Sequence, residues 1–391
     1  RHARQIAGRE ANEIILLNSH DGTSSYQMLA GMFRFVCSNG LVCGDTVADV
    51  RVPHKGDVAG HVIEGAFEVL SGFERVKESR DLMRSITLDE GEAEVFAAGG
   101  VGQILLTSPV VAPGRISRLL DLAAAHPDII TVADDPENVA ALNAAALSRG
   151  VILNLLVDVD AGFHRFGTES PAAACALAQQ IADAPALRLR GVQGYAGDVQ
   201  HIANFEERRI ESEKRIRMLG AARDAIRAAR LECDIVTGGG TGTHAIDPAL
   251  GILTDVQVGS YIFSDVQYDH VELRATDNHP FRNALFVYTR VVSARHDGFA
   301  TTDAGSKGFS TEDYPPQIVA GAPSGSVYSI FGDEFGKVTL PDPAARLPLN
   351  SLIECVIPHC DPTLNLYDDL YIVSGDKLVD IWAIEGRGGA G

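Results

Sequence analysis

Four short stretches carry the side chains that could do chemistry. The first is Gly238, Gly239, Gly240, Thr241, Gly242 and Thr243. Consecutive glycines let backbone N–H groups turn toward one point, and the two threonines add hydroxyl donors. A phosphate is the natural occupant of such a nest. The same residues also serve as a tight strand-to-helix turn with no ligand. The pattern is neither G-x-G-x-x-G nor a Walker A loop, which disfavours dinucleotides and nucleoside triphosphates and leaves a small phosphorylated cofactor as the better fit.

The second stretch holds Arg165 between Phe163 and Phe166, flanked by Gly162 and Gly167. As a ligand, arginine is a permanent cation and donor that cannot give up its proton; as a surface charge it is merely solvated. The third holds Tyr195 and His201, which read equally as core aromatics or as site residues. The fourth is the polar run from Pro358 to Asp368. On an extended backbone His359 and Asp361 share a side while Cys360 points away. One imidazole and one carboxylate with room for water suit Mn²⁺, Zn²⁺ or Mg²⁺, although a His-x-Asp pair is also commonly a turn.

These stretches need elements to position them. From about 100 to 265, apolar runs at 103–107, 129–132, 151–158, 189–195, 234–237 and 256–261 alternate with helical segments at 116–125, 136–148, 172–181 and 205–230. Nearly all-apolar strands each followed by a helix mean a parallel sheet buried on both faces, whose chemistry gathers at the strands' carboxyl ends. Three of the four stretches follow such ends. Six strands fall short of the eight that close a (β/α)8 barrel. The expected fold class is therefore α/β, with an incomplete barrel over 91–270 whose edge at 103–107 is left unpaired unless the N-terminal module covers it. A mainly β domain with turn-separated strands at 285–293, 326–330, 352–357 and 378–384 covers 271–391. Residues 1–90 read as a separate α+β module, with helical spacing at 60–84.

Composition narrows the class. The chain has 391 residues and a formal charge of −19, which argues against nucleic acid as partner. No apolar run is long enough to span a membrane. Six cysteines are too sparse for a disulfide scaffold, so a reducing cytoplasm is expected. The chain opens at Arg1 rather than methionine, which reads as a segment missing upstream.

Taken together, these residues resemble the D-threonine aldolase and D-serine dehydratase family of alanine-racemase-like, pyridoxal-phosphate (PLP) enzymes, from about Gly91, Glu92, Ala93 and Glu94 to the C-terminus. The resemblance implies a PLP-binding barrel, a β domain and a homodimer. It places Arg165 against the pyridine nitrogen. Tyr195, Thr237, Gly238, Gly239, Gly240, Thr241, Gly259 and Ser260 would hold the cofactor, mostly at its phosphate. His359 and Asp361 would bind a divalent metal beside the substrate's β-hydroxyl, with His201 as the catalytic side chain nearby. The dehydratase branch uses His-x-Cys as its metal pair. Asp361 at that position favours retro-aldol cleavage of a small D-3-hydroxyamino acid to glycine and an aldehyde, and dehydration of such an amino acid is the alternative.

Two departures qualify this. The family's Schiff-base lysine lies on the first barrel strand, and no matching segment precedes Gly91. Of the six lysines, Lys55, Lys77, Lys214, Lys307, Lys337 and Lys377, only Lys55 faintly echoes it. Asp333 to Gly336 also lacks the histidine that the family usually carries before the glycine. Upstream of Gly91 the chain instead resembles DUF932, a phage- and plasmid-associated family of unknown function, through Asn18 to Tyr26 and Phe35 to Gly44. The expectation is a fusion near residue 90 with impaired catalysis, or a non-catalytic remnant.

Overall fold

The computed structural model describes residues 12–17, 85–87, 90–99, 101, 103–374 and 377–385. The motifs at 18–26 and 35–44, the helical spacing at 60–84, and Lys55 and Lys77 lie outside the described residues.

The barrel half is a run of seven parallel strands: β2 (Ser85–Thr87), β3 (Ile104–Leu106), β4 (Ile130–Ala133), β5 (Leu153–Asp158), β6 (Leu187–Gly194), β7 (Ile235–Gly238) and β8 (Asp255–Val256), hydrogen-bonded in sequence order. The helices between them are α1 (Glu90–Ala98), α2 (Pro113–Ala125), α3 (Pro136–Arg149), α4 (Pro171–Asp183) and α5 (Phe205–Ala228). Local chemistry starts them where they start. Pro113, Pro136 and Pro171 open α2, α3 and α4, where a missing N–H costs nothing. Asp135, Ser170 and Asn204 cap the first free amides of α3, α4 and α5.

Strands β3, β4, β5 and β7 are buried on both faces. Leu105, Ile130, Val132, Leu156 and Ile235 pack together as one cluster. Their neighbours Leu106, Leu155, Val157, Val192 and Val236 belong to the larger cluster that includes Leu119, Leu142, Ala178, Ile216 and Leu219 of the helices. This explains why the runs read as continuously apolar rather than alternating.

The strand count corrects the sequence expectation. β2 is a seventh strand, and it pairs with β3 through Ser85↔Ile104, Ile86↔Leu105 and Thr87↔Leu106. The edge at 103–107 is therefore covered, and by a segment of the first ninety residues, as the expectation allowed. Three residues, Ser-Ile-Thr, are too few to show a period, so the pattern passed over them. The sheet remains one strand short of a closed eight among the described residues.

The β half contains β9 (Leu285–Ser293), β10 (Phe299–Thr302), β11 (Gln317–Ala320), β12 (Val327–Ile330), β13 (Gly336–Thr339), β14 (Leu352–Val356), β15 (Asp369–Ser374) and β16 (Lys377–Ala383), ordered β12-β13-β10-β9-β1-β15-β16 with β14 also on β9 and β11 on β14. Here β1 is Asn12–Leu17, parallel to β9 and antiparallel to β15. Two segments from the first ninety residues thus join the two sheets, β1 inside the β sheet and β2 at the edge of the barrel sheet. Two short helices interrupt the second half: α6 (Val266–Asp269), at the barrel's exit, and α7 (Cys360–Leu364). The latter corrects the extended reading of the His359–Asp361 segment: His359 is extended, but Cys360 and Asp361 begin a helical turn.

The outer helices are laced by a bidentate pair. The Arg115 Nε of α2 donates to both carboxylate oxygens of Glu90 of α1, at 3.1 and 2.8 Å. Glu90 is buried, whereas Arg115 is partly exposed. Glu90→Ala leaves an arginine that water can solvate and is expected to cost about 2 kcal/mol. Arg115→Ala strands a buried carboxylate and should cost about 3 kcal/mol or more. Urea unfolding of the two variants checks this order, and equal losses would contradict it.

Candidate active site

All seven barrel strands run the same way, so their carboxyl ends form a single mouth. The loop after β5 stands Arg165 on its rim. Asp160 folds this loop back on itself: its Oδ1 accepts from Gly162 N at 2.7 Å and His164 N at 3.0 Å, and its Oδ2 meets His164 Nδ1 at 2.6 Å. Burial would raise the Asp160 pKa, but these hydrogen bonds from His164 and Gly162 outweigh it and leave the carboxyl below its ordinary value. Thr168 N returns to Asp158 O, and Gly167, at φ +109°, takes a conformation that suits glycine. The Arg165 guanidinium then lies 4.6 Å from the Phe166 ring centroid, 5.4 Å from Phe163 and 5.9 Å from Tyr195. Arg165 is exposed, with its planar face supported by rings and its charge turned to the mouth.

The glycine loop follows β7. Gly238 packs so tightly that a Cβ would stand 2.5 Å from Gly194 O, and at Gly240 a Cβ would stand 2.7 Å from Gln200 Oε1 and 3.4 Å from the Tyr195 ring. Thr241 Oγ1 accepts from Gly259 N at 3.4 Å and Tyr261 N at 3.3 Å, joining the two segments expected to share a phosphate. A Cβ on Gly259 would meet nothing within 4 Å. Thr237 sits apart, wholly buried inside the barrel, where Gln257 Nε2 donates to its hydroxyl at 3.4 Å. The hydroxyl of Ser260 hydrogen-bonds the buried Tyr268 phenol.

The third group crosses into the β half. His201 lies 4.8 Å from Tyr268 and 6.1 Å edge-on from His359, centroid to centroid. His359 Nδ1 meets Asp265 Oδ2 at 2.8 Å, and Cys360 N donates to the same oxygen at 3.0 Å. Burial opposes charge on His359, but Asp265 more than compensates and raises its pKa. Burial, aided by the His359 charge, lowers that of His201, which therefore stays neutral at neutral pH. Asp361 keeps a solvent-exposed face, yet the protein mass around it pushes its carboxyl up, with His359 opposing and Asp265 adding. Burial drives the Tyr195 phenol up to about 12; the charge of Asp361 adds to this and that of Arg165 opposes it. Tyr195 thus feels both groups and links the Arg165 side of the mouth to the His201–His359–Asp361 group, while Thr237 stays out of it.

Several residues around this mouth were not singled out from sequence: Asp265, Tyr268, Asp158, Gln193, Arg208, His244 and Asp247. Asp158 is buried, hydrogen-bonded by Gln193, and raised well above the ordinary carboxyl range by burial. Arg208 is fully buried and donates to four backbone carbonyls, of Gly242, Ile202, Ala203 and Glu272. Asp158 was visible as the last residue of a strand. Gln193 lies on β6, and the others lie in loops or on a helix face that no period marks.

Known proteins supply the context. The alanine racemase N-terminal domain model matches residues 55–266, and the putative serine dehydratase domain matches residues 284–373. The chain belongs to the alanine racemase N-terminal domain family. It is 35% identical over 300 residues to 3-hydroxy-D-aspartate aldolase of Paracoccus denitrificans, covering 76% of each chain. Its structure resembles that of D-threonine aldolase from Filomicrobium marinum with a TM-score of 0.74 at 30% identity, over 78% of this chain and 82% of that one. The DUF932 model, a domain of unknown function, matches residues 1–103, and 88 residues are 68% identical to the UPF0380 protein YfjQ of Escherichia coli, covering 22% of this chain and 32% of that one. The two models overlap at 55–103, a span that includes the expected junction near residue 90.

The family implies PLP, and the glycine loop fits its phosphate. Space is open above Gly259, close packing excludes a side chain at Gly238 and Gly240, and no described hydrogen bond engages the N–H groups of Thr241 and Gly242. The lysine that would hold the cofactor covalently has no counterpart among the described residues. Lys214 pairs with Glu211 on α5, Lys307 pairs with Glu334, Lys337 stacks on Phe299 and Phe331, and Lys377 is exposed at the start of β16. A preformed metal centre does not fit either. Among the described residues no three His, Cys, Asp or Glu side chains converge to hold an ion. No helix among them is long and apolar enough to cross a membrane.

Behind the glycine loop, Asp247 is wholly buried, and burial pushes its pKa up to about 6 against the Ser212 and Thr243 hydroxyls. A folded pKa above the unfolded one means that the protonated carboxyl favours the folded state. That stabilisation is complete below about pH 4 and is lost as pH rises through about 6. Relative to Asp247→Asn, the wild type should therefore gain up to about 3 kcal/mol of unfolding free energy between about pH 7.5 and about pH 4. Urea titrations of both proteins across that range measure the difference, and a constant offset would refute the assignment.

Proposed function

We propose that this chain binds PLP at the barrel mouth and is a D-threonine aldolase-like protein directed at small D-3-hydroxyamino acids, with catalysis held back by the missing lysine. The observation that carries the reading is the position of Tyr195, which touches the glycine loop, stacks with Arg165 and feels the charge of Asp361. A cofactor bound by its phosphate at 238–243 would thus lie within reach of His201 and His359.

When bound, PLP supplies an electron sink for the bond that breaks at the substrate's α-carbon. The protein's own residues do the rest. Arg165 would hold a fixed cation beside the ring nitrogen and disfavour a proton there. The Tyr195 phenol, raised to about 12, stays protonated and serves as a donor. His201 is neutral and accepts the proton from the substrate's 3-hydroxyl oxygen as the Cα–Cβ bond breaks. His359, aligned by Asp265 and edge-on to His201, would stand beside the same oxygen from the β half. Dehydration is the second reading, favoured by the match of the serine dehydratase domain over 284–373; keto acid and ammonia in place of aldehyde and glycine would identify it.

Borohydride reduction with PLP, followed by peptide mapping, is expected to label no lysine stoichiometrically. Glycine release from D-threonine should run roughly a thousandfold below that of an intact aldolase. One lysine labelled to completion, with release at aldolase rates, would overturn the claim of impairment.

His359 and Asp361 form at most a weak divalent site, since only two ligands are offered. Equilibrium dialysis is expected to show weak Mn²⁺ uptake that disappears in His359→Ala. Equal uptake by the two proteins would remove the site.

A further inference from the structure

The glycine loop is held from behind by side chains that never face its mouth. His244 is 4% exposed. Its Nδ1 lies 2.8 Å from Thr241 O, and Arg274 Nε donates to its Nε2 at 3.3 Å. Arginine has no acceptor, so Nε2 must be the accepting nitrogen and the ring proton must sit on Nδ1. The direction of every bond in the relay is thereby fixed: Arg274 donates to His244, and His244 donates to the Thr241 carbonyl. The His244 ring also packs 5.0 Å from Phe281, which in turn lies 5.8 Å from Tyr261, centroid to centroid. Tyr261 N and Gly259 N donate to Thr241 Oγ1. One residue's carbonyl and hydroxyl are therefore both secured.

The consequence follows from the planarity of the peptide unit. The Thr241 carbonyl and the Gly242 N–H belong to one trans peptide and point in opposite directions. Holding the carbonyl toward His244 holds that N–H away from it, and no described hydrogen bond accepts from it. In the next unit, Arg208 Nε donates to Gly242 O at 2.7 Å, which limits rotation of the peptide from its other end.

We propose that His244, oriented by Arg274, is a positioning residue that sets the Thr241–Gly242 peptide with its N–H toward the phosphate of a bound cofactor. The proposal rests on the reading of the glycine loop as the phosphate site. Its effect belongs to binding rather than to any chemical step, because His244 reaches the ligand only through the backbone.

Pyridoxamine 5'-phosphate and pyridoxamine are suitable probes, since neither can form a Schiff base with lysine and their affinity ratio isolates the phosphate. Both are titrated by fluorescence against the full chain, His244→Phe, His244→Asn and Arg274→Met. Unchanged near-ultraviolet circular dichroism without ligand controls for folding. His244→Phe keeps the ring contact with Phe281 but loses the donor, and the phosphate preference should fall about tenfold. His244→Asn restores a short N–H donor and should retain the preference within about threefold. Arg274→Met should weaken it less than His244→Phe, and adding it to His244→Phe should change nothing further, as expected for two members of one relay. Arg274→Met alone still tests the relay if His244→Phe does not fold. An unaltered preference in His244→Phe and Arg274→Met, or equal losses in His244→Phe and His244→Asn, would overturn the positioning role. A wild type that does not distinguish the two probes would remove the phosphate reading itself and the proposal with it.

Discussion

The two halves meet through one carboxylate. Asp265 follows the last barrel strand, is fully buried, and accepts at Oδ2 from both the His359 ring and the Cys360 amide, and at Oδ1 from Tyr268 N at 3.0 Å. Val266 N donates to Ile357 O and Gln267 N to Pro358 O, so the backbones run together at the same point. A buried carboxylate is tolerated only when its oxygens are satisfied this fully. Satisfying them brings a histidine from the β half beside one from the barrel. Neither half has the whole mouth without this junction.

The mouth is organised in two tiers. The front tier consists of exposed or half-exposed groups: Arg165, His201, His359 and Asp361. Behind it stands a buried tier of Asp265, Arg208, His244 and Asp247, which hold loops rather than meeting solvent. The front tier was largely legible in the sequence, because strand ends are where polar residues interrupt apolar runs. The back tier was not. A buried polar residue in a loop looks the same in sequence as a solvated one, and only its partners distinguish them. The parallel sheet was legible for a similar reason, since strands buried on both faces leave long apolar runs, whereas β2 was too short to be seen. The helical turn at Cys360 was hidden because Pro362 reads as a breaker, although proline is accepted in the first turn of a helix.

Sequence kinship and structural role part company at the front of the chain. β1 lies within the residues that match the DUF932 model alone, yet it completes the β sheet, whereas β2 lies where both models match and extends the barrel sheet. Strand pairing is made by backbone groups and asks little of side chains beyond apolar character, which Asn-Glu-Ile-Ile-Leu-Leu and Ser-Ile-Thr provide. A lysine at one required position is a far more exacting demand than a strand at one required place.

The place of β1 also sets an order of assembly. Ile15 pairs with Phe286 on one side and Tyr371 on the other. A ribosome making this chain releases Ile15 long before either neighbour exists, so an apolar strand must wait, unsheltered, while the entire barrel half is synthesised. The barrel can form from contacts between successive elements as they emerge, whereas the β sheet cannot join its two wings until nearly the last residue is made. The first strand out of the tunnel is among the last to be paired, and the growing chain depends for that interval on whatever shields an exposed strand in the cell.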